Sequence, residues 1–221
     1  MRIRHSLRIV LALSALAAGL AAAAPAEQAG GAQSPEEPMK VVKHAVDQVL
    51  DILRDPELAG EENTEKRRKA VREVVDKRFH WREMARRALA RHWRDRTEEE
   101  QEEFTRLFAD LIERTYIQRV EKHADAEIRY QEQEVQEEYA TVKTVAVADE
   151  DTEVPLDYRL HLVTVKDEET EKERRIWKVY DVRIEGVSLV NNYRSQFNDI
   201  IIGSSYEKLV KRIKAKLEKD D

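Results

Sequence analysis

The sequence contains no cysteine, and it has only six glycines and five prolines among its 221 residues. Without cysteine, no disulfide can cross-link the fold and no lipid can be attached to a thiol behind the N-terminal segment. The few glycines form neither a GxGxxG nor a Walker pattern, so no phosphate cradle for a nucleotide is predicted. The fold must therefore be stabilised by the burial of apolar side chains alone.

Residues that could carry catalysis are scattered along the chain. The six histidines never recur at the i, i+4 spacing of a helical zinc site, although His80 and His92 flank one short helix and could meet in space. The GVSLV sequence around Ser188 resembles a nucleophile elbow but lacks the second glycine, so we interpret Ser188 as the N-cap of the next helix. We predict no catalytic residue and no metal site.

Charged residues make up 38% of the chain, with 39 basic and 45 acidic residues. Arg2, Arg4 and Arg8 precede an apolar run over Ile9–Leu20, which is the pattern of a secretory signal peptide. A membrane anchor is the alternative, but the run is short and rich in alanine. Cleavage near Ala23 would leave 36 basic residues against 45 acidic ones, a net charge of −9 that argues against a nucleic-acid partner.

We predict a signal peptide over residues 1–23, a flexible leader over 24–37 and a single domain over 38–221. The spacing of the apolar residues changes along the domain. Apolar residues recur at helical spacing first, then alternate as in strands, and then return to helical spacing. The three parts are a helical region over 38–123, a sheet over 126–186 and two C-terminal helices over 188–219.

The predicted sheet has four antiparallel strands, because their connections are short. In the fourth strand, Trp177 and Val179 fall on one face while Val182 and Ile184 fall on the other. A β-bulge near Tyr180 and Asp181 would bring both pairs to one face and would curve the sheet. The predicted fold class is α+β: N-terminal helices, a curved four-stranded antiparallel sheet, and two C-terminal helices, which either close over the sheet completely or enclose an apolar pocket. The strands span 127–135, 139–148, 154–165 and 174–184.

Two segments together carry a family resemblance. They read FHWREMARRALARHWRDRTEEEQEEFTRLFADLIERTY over 79–116 and IWKVYDVRIEGVSLVNNYRSQFNDII over 176–201. The chain resembles the MlaC family of periplasmic phospholipid-binding proteins, which are also described as toluene-tolerance or solvent-resistance auxiliary proteins. One departure is Ala90, where the family usually has glycine after the Ala-Leu pair.

The resemblance implies a soluble carrier that moves phospholipid across the periplasm, with no enzymatic activity and no cofactor apart from the lipid that it carries. In the family, the partners are a lipoprotein–porin complex at the outer membrane and an ABC transporter with an MCE-domain ring at the inner membrane. Together they maintain the lipid asymmetry of the outer membrane. A carrier of hopanoids or of another apolar molecule is not distinguished by the sequence.

We predict that the lipid slot is walled by the concave sheet face and by the helices that cover it. A plain filled core, as in an adaptor protein, would use the same residue types, and a periplasmic enzyme would need a polar cluster such as His161, Asp157 and Tyr158. Lys178 and Arg194 are the candidates for contact with a lipid headgroup. The predicted wall consists of Val46, Leu50, Leu111, Tyr116, Tyr158, Leu160, Leu162, Val179, Val187 and Tyr193.

Overall fold

The computed structural model describes residues 35–149, 152–166 and 171–219. All of them belong to one compact unit, Gln33–Asp221. The predicted signal peptide and most of the predicted leader lie outside the described residues, so both remain predictions. Within the described ranges, no helix combines the length and the apolar character that crossing a membrane requires.

Within the described residues, four α-helices precede the sheet: α1 (Pro38–Arg54), α2 (Thr64–Arg78), α3 (Trp81–Leu89) and α4 (Glu98–Lys122). Proline at the first position of α1 suits a helix start, because the missing N–H has no partner there anyway. The helix α4 opens with a reciprocal capping box, in which Thr97 and Glu100 each accept a hydrogen bond from the other's backbone N–H, at 3.2 and 2.9 Å. These helices match the predicted helical region.

One antiparallel sheet follows, in the order β1 (Glu127–Gln136), β2 (Tyr139–Asp149), β3 (Thr152–Lys166), β4 (Glu173–Ile184) and β5 (Val187–Ser188). The α+β class and the first four strands are confirmed. The fifth strand was not predicted, since two residues are too few to show a period. Glu185 and Gly186, both with positive φ, form the tight turn that pairs Val187 with Ile184.

The predicted β-bulge is confirmed at Tyr180. Arg159 on β3 pairs with Asp181, while the next residue, Leu160, pairs with Val179, so Tyr180 is the extra residue of β4. The extra residue resets the alternation of the strand, which brings both apolar pairs to the inner face. The four inward residues of β4 are Trp177, Val179, Val182 and Ile184.

Two helices follow the sheet, α5 (Leu189–Gly203) and α6 (Tyr206–Lys219). The predicted N-cap of α5 is confirmed, because the Ser188 hydroxyl accepts a hydrogen bond from the N–H of Asn191 at 3.1 Å. The Ser205 hydroxyl does the same for α6, accepting from the N–H of Lys208 at 3.2 Å. Short polar caps therefore fix where both C-terminal helices begin.

Ala90, which ends α3, has φ 51° and ψ −120°. This is a φ/ψ region that mainly glycine adopts, because the Cβ of any other residue is crowded at positive φ. The departure from the family noted in the sequence thus coincides with a strained backbone position.

The buried apolar side chains form two clusters. The helix cluster lies among α3, α4, α5 and α6, and the sheet cluster lies between the inner sheet face, α1 and the start of α5. Phe79 and Tyr116 pack against both clusters and so join them. The helix cluster contains Met84, Ala85, Ala88, Leu89, Trp93, Phe104, Phe108, Leu111, Ile112, Val190, Tyr193, Phe197, Tyr206, Leu209 and Ile213. The sheet cluster contains Val41, Val42, Ala140, Val142, Leu160, Trp177, Val179, Val182 and Leu189.

Candidate functional site

The residues of the predicted slot wall are divided between the two clusters. Leu160 and Val179 are buried in the sheet cluster, whereas Leu111 and Tyr193 are buried in the helix cluster. Tyr116 lies where the clusters meet. Val46, Tyr158 and Leu162 are half-buried against the sheet cluster. The structure therefore brings most of the predicted wall to the inner sheet face and to the junction beside it.

Two predicted wall residues lie elsewhere. Val187 is 59% exposed, because the tight turn before it places it on the short edge strand β5. It is thus a surface residue, which corrects its predicted place in the wall. Leu50 is half-buried on α1 and belongs to neither cluster.

The inner sheet face carries a second tyrosine that the sequence reasoning missed. Tyr130 on β1 lies opposite Thr144 on β2, which in turn lies opposite Leu156 on β3. Residues opposite each other share a face of the sheet, and so do residues two apart on one strand. Tyr158, two residues after Leu156, is therefore on the same face as Tyr130. Both rings pack against the sheet cluster. Burial raises the pKa of Tyr158 to about 12. Burial, followed by the Asp47 carboxylate and Tyr158, also raises the pKa of Tyr130, so both phenols stay protonated at neutral pH.

A polar contact sits where the two clusters meet. The Thr115 hydroxyl donates to the carbonyl of Leu111 at 2.6 Å and lies 3.3 Å from the hydroxyl of Tyr193. Burial raises the pKa of the neighbouring Tyr116, as does the nearby Tyr193. These hydroxyls tie α4 to α5 inside an otherwise apolar region.

The two headgroup candidates are engaged with the backbone. Lys178 Nζ donates to the carbonyl of Lys77 at 2.6 Å, and Arg194 Nε donates to the carbonyl of Arg87 at 2.8 Å. Burial and the Arg78 guanidinium lower the pKa of Lys178. Both cations therefore link secondary-structure elements, and their contact with a headgroup stays a prediction.

Asp181, beside the bulge, is a buried carboxylate with 2% exposure. It accepts hydrogen bonds from the Ser188 hydroxyl at 2.7 Å and from the N–H of Val190 at 3.1 Å, and Arg159 Nη1 lies 3.7 Å away. A carboxylate at a helix N-terminus also complements the helix dipole. Ser188 therefore donates to Asp181 while it caps α5, which supports a structural role and not a nucleophilic one.

The histidines that meet in space are His80 and His161, not His80 and His92. His80 Nδ1 lies 2.7 Å from His161 Nε2, so one neutral ring donates a hydrogen bond to the other. The centres of the two rings are 4.9 Å apart, and the rings are stacked. His92 instead lies 3.2 Å from Asn198 Oδ1. Burial lowers the pKa of both paired imidazoles, and His80 lowers that of His161 further. The pair joins the start of α3 to β3.

The polar trio that an enzyme would need does not converge. Asp157 and His161 alternate onto the outer face of β3, whereas Tyr158 lies on the inner face against the sheet cluster. Among the described residues, no group of three or more histidine, aspartate or glutamate side chains is placed to hold a metal ion.

Two surface grooves lie away from the predicted wall. One, of about 490 Å³, runs between α4 and α6 and is lined by charged residues such as Glu103, Lys211 and Lys214. The other, of about 340 Å³, lies beside the start of α2 near Gly60 and Arg67. No predicted wall residue lines either groove.

Comparison with known proteins identifies the family. The model of the MlaC protein family matches residues 43–215, which is most of the chain. No curated protein gives a significant match. The chain therefore belongs to the MlaC family.

The solved structures that resemble this one include the phospholipid-binding protein from Ralstonia solanacearum, determined in complex with a phospholipid at 1.53 Å resolution. The two sequences are 26% identical, and the structures superpose with a TM-score of 0.69. The alignment covers 84% of this chain and 99% of the other. The likeness therefore extends over the whole of that protein.

Proposed function

We propose that this member of the MlaC family is a periplasmic carrier of phospholipid and has no enzymatic activity of its own. The observation that carries the proposal is the likeness to a phospholipid-bound protein over 99% of that protein's length. The predicted signal peptide supports a periplasmic location. The sheet cluster, with half-buried side chains beneath α1, is the part of the fold to which we assign the acyl chains.

The physical requirement of such a carrier is modest. An acyl chain of about 15 methylenes costs about 12 kcal/mol to expose to water, at about 0.8 kcal/mol per CH₂. An apolar enclosure meets most of this cost, and no hydrolysable cofactor is needed on the carrier itself. The apolar inner sheet face and the scattered polar groups around it agree with this requirement.

We also propose that the carrier exchanges lipid with a lipoprotein–porin complex at the outer membrane and with an ABC transporter bearing an MCE-domain ring at the inner membrane. This exchange would maintain the lipid asymmetry of the outer membrane. Membership of the MlaC family supports this part of the proposal.

The test is the lipid content of the protein purified from a bacterial periplasm, measured by extraction and mass spectrometry. We expect co-purified phospholipid, and uptake of phospholipid from vesicles by the delipidated protein. A preparation that holds none and takes up none would overturn the proposal. A hopanoid or another apolar molecule in its place would keep the carrier and change its cargo.

A matched pair of variants tests the location of the lipid. Val46→Trp adds a large ring where α1 faces the sheet cluster, so we expect several-fold less lipid per protein. Val187→Trp makes the same change on an exposed strand and should leave the lipid content unchanged. Equal lipid content in both variants would place the acyl chains elsewhere in the fold.

A further inference from the structure

The Tyr130 hydroxyl is buried and has no hydrogen-bond partner. Among the described residues, the Nε of Arg96 is the one other buried side-chain atom in this condition. Buried polar groups are nearly always paired, because a donor without a partner loses its hydrogen bonds to water and gains none in return. An orphan donor inside an apolar cluster therefore points to an acceptor that the protein itself does not supply.

No hydroxyl on the inner sheet face forms a hydrogen bond with Tyr130. Thr144, which pairs with Tyr130 across the strands, uses its hydroxyl to donate to the carbonyl of Leu156 at 2.9 Å. Tyr158 lies on the same inner face, and its phenol is likewise a protonated donor. The inner face thus presents two phenol hydroxyls, one on β1 and one on β3, within an apolar surface.

The charges above Tyr130 cancel each other. On α1, Lys43 Nζ lies 5.1 Å from the centre of the Tyr130 ring and forms an ion pair with Asp47 at 3.0 Å. The site therefore has no unbalanced cation for a phosphate, and the Asp47 carboxylate would repel one. The chemistry favours a neutral oxygen acceptor attached to an apolar chain.

We propose that the hydroxyls of Tyr130 and Tyr158 donate hydrogen bonds to the ester carbonyl oxygens of the bound lipid, at the point where its acyl chains leave the glycerol. This inference rests on the proposed function. Each diacyl lipid has two ester carbonyls next to its apolar chains, and the inner face has two phenol donors. The pair fixes the depth at which the lipid is held and selects acyl esters over ethers.

The test compares two lipids that differ only in these carbonyls. A diacyl phosphatidylethanolamine and its diether analogue, with equal chain lengths, are offered in vesicles to the delipidated protein. We expect the wild type to take up about fivefold more of the diester than of the diether, because one to two hydrogen bonds would be lost with the diether. Tyr130→Phe should lose most of this preference and still bind the diether. Tyr158→Phe should lose a smaller part, and the exposed control Tyr139→Phe should lose none.

A second measurement separates binding from folding. Because Tyr130→Phe removes a buried hydroxyl without a partner, we expect the melting temperature of its lipid-free form to equal or exceed that of the wild type. A lower melting temperature, or equal loss of both lipids, would overturn the inference. If the wild type took up both lipids alike, the inference would fail while the carrier function stood; if it took up neither, both would fail.

Discussion

The helix cluster and the sheet cluster bring together different kinds of side chain. In the helix cluster, Phe104 and Phe108 are fully buried and meet Phe197 edge-on at 5.7 and 5.8 Å. Such pairs fill space with well-defined geometry. Half-buried apolar side chains flank both clusters, but the sheet cluster also has the buried Tyr130 hydroxyl beside it, for which the described residues supply no hydrogen-bond partner. The helix cluster is thus centred on interlocking aromatic rings, whereas the sheet cluster has phenol hydroxyls beside it on an apolar face.

The helices α2 and α1 are attached to their neighbours differently as well. Glu121 on α4 binds α2 through Arg68 at 2.9 Å and Arg67 at 3.2 Å. The middle of α1 meets the sheet through apolar contacts and the contact of Lys43 with the Tyr130 ring. At its two ends, the N–H of Met39 donates to Gln133 Oε1 at 2.8 Å, and Arg54 donates to the carbonyls of Ala124 and Ala126 at 2.8 and 3.3 Å. We regard the helix cluster as the scaffold of the fold, and the proposed lipid site lies between α1 and the sheet.

The largest expected effect is on the core of the scaffold. Phe108→Ala should lower the free energy of unfolding by about 3–5 kcal/mol, because a fully buried ring leaves a cavity. Tyr158→Ala, which truncates a half-buried ring, should cost about half as much. Urea denaturation of both variants measures the difference. Equal losses would mean that the two clusters are packed alike.

The attachment of α2 should depend on pH. Burial alone would raise the pKa of Glu121, but hydrogen bonds from Arg68 and Arg67 lower it below its usual 4.5. A carboxylate with a depressed pKa stabilises the fold above about pH 4.5, and this contribution is lost as the pH falls through the lower folded-state pKa. Glu121→Gln should therefore cost about 1–2 kcal/mol at pH 7 and progressively less below pH 4.5.

The control for Glu121 is a similar pair in full solvent. Glu138 lies 2.7 Å from Arg175, but both side chains are exposed. Glu138→Gln should change the stability at pH 7 by less than about 0.5 kcal/mol. If chemical denaturation shows the same loss for both variants, burial is not what makes the Glu121 bonds effective.

The smallest expected effect concerns the strained backbone of Ala90 at the end of α3. Ala90→Gly should stabilise the protein by about 1 kcal/mol, because glycine adopts the positive φ of this position without crowding. Ala215→Gly, on the exposed face of α6, should destabilise it by about 1 kcal/mol. Thermal melts of both variants show whether each substitution stabilises or destabilises the protein. A lower melting temperature for Ala90→Gly would show that the backbone at Ala90 is not strained.

The regular parts of the fold could be predicted from the sequence because their signals are local. Strand alternation and capping residues are readable within a few positions of the chain, and they located four strands and the start of α5. The bulge at Tyr180 was predicted for the same reason, since a mismatch of alternation within one strand has few physical solutions.

The remaining features depend on contacts between distant residues. His80 pairs with His161, and nothing in either local pattern indicates which loop will lie beside which strand. Tyr130 sits in a polar strand, so its burial follows from the docking of α1 and not from its neighbours in sequence. Whether apolar residues line a lipid or fill a core was equally beyond the sequence, because the side chains required are the same.

The bulge at Tyr180 has a consequence for the length of the chain. Deleting Tyr180 would restore regular pairing and leave Val182 and Ile184 facing inward, but it would remove a buried ring that meets His161 edge-on at 5.5 Å and the extra twist that the bulge gives the strand. Within β4, the loss of one residue is therefore compatible with the inward pattern at the bulge itself, whereas at other positions it would turn apolar side chains outward.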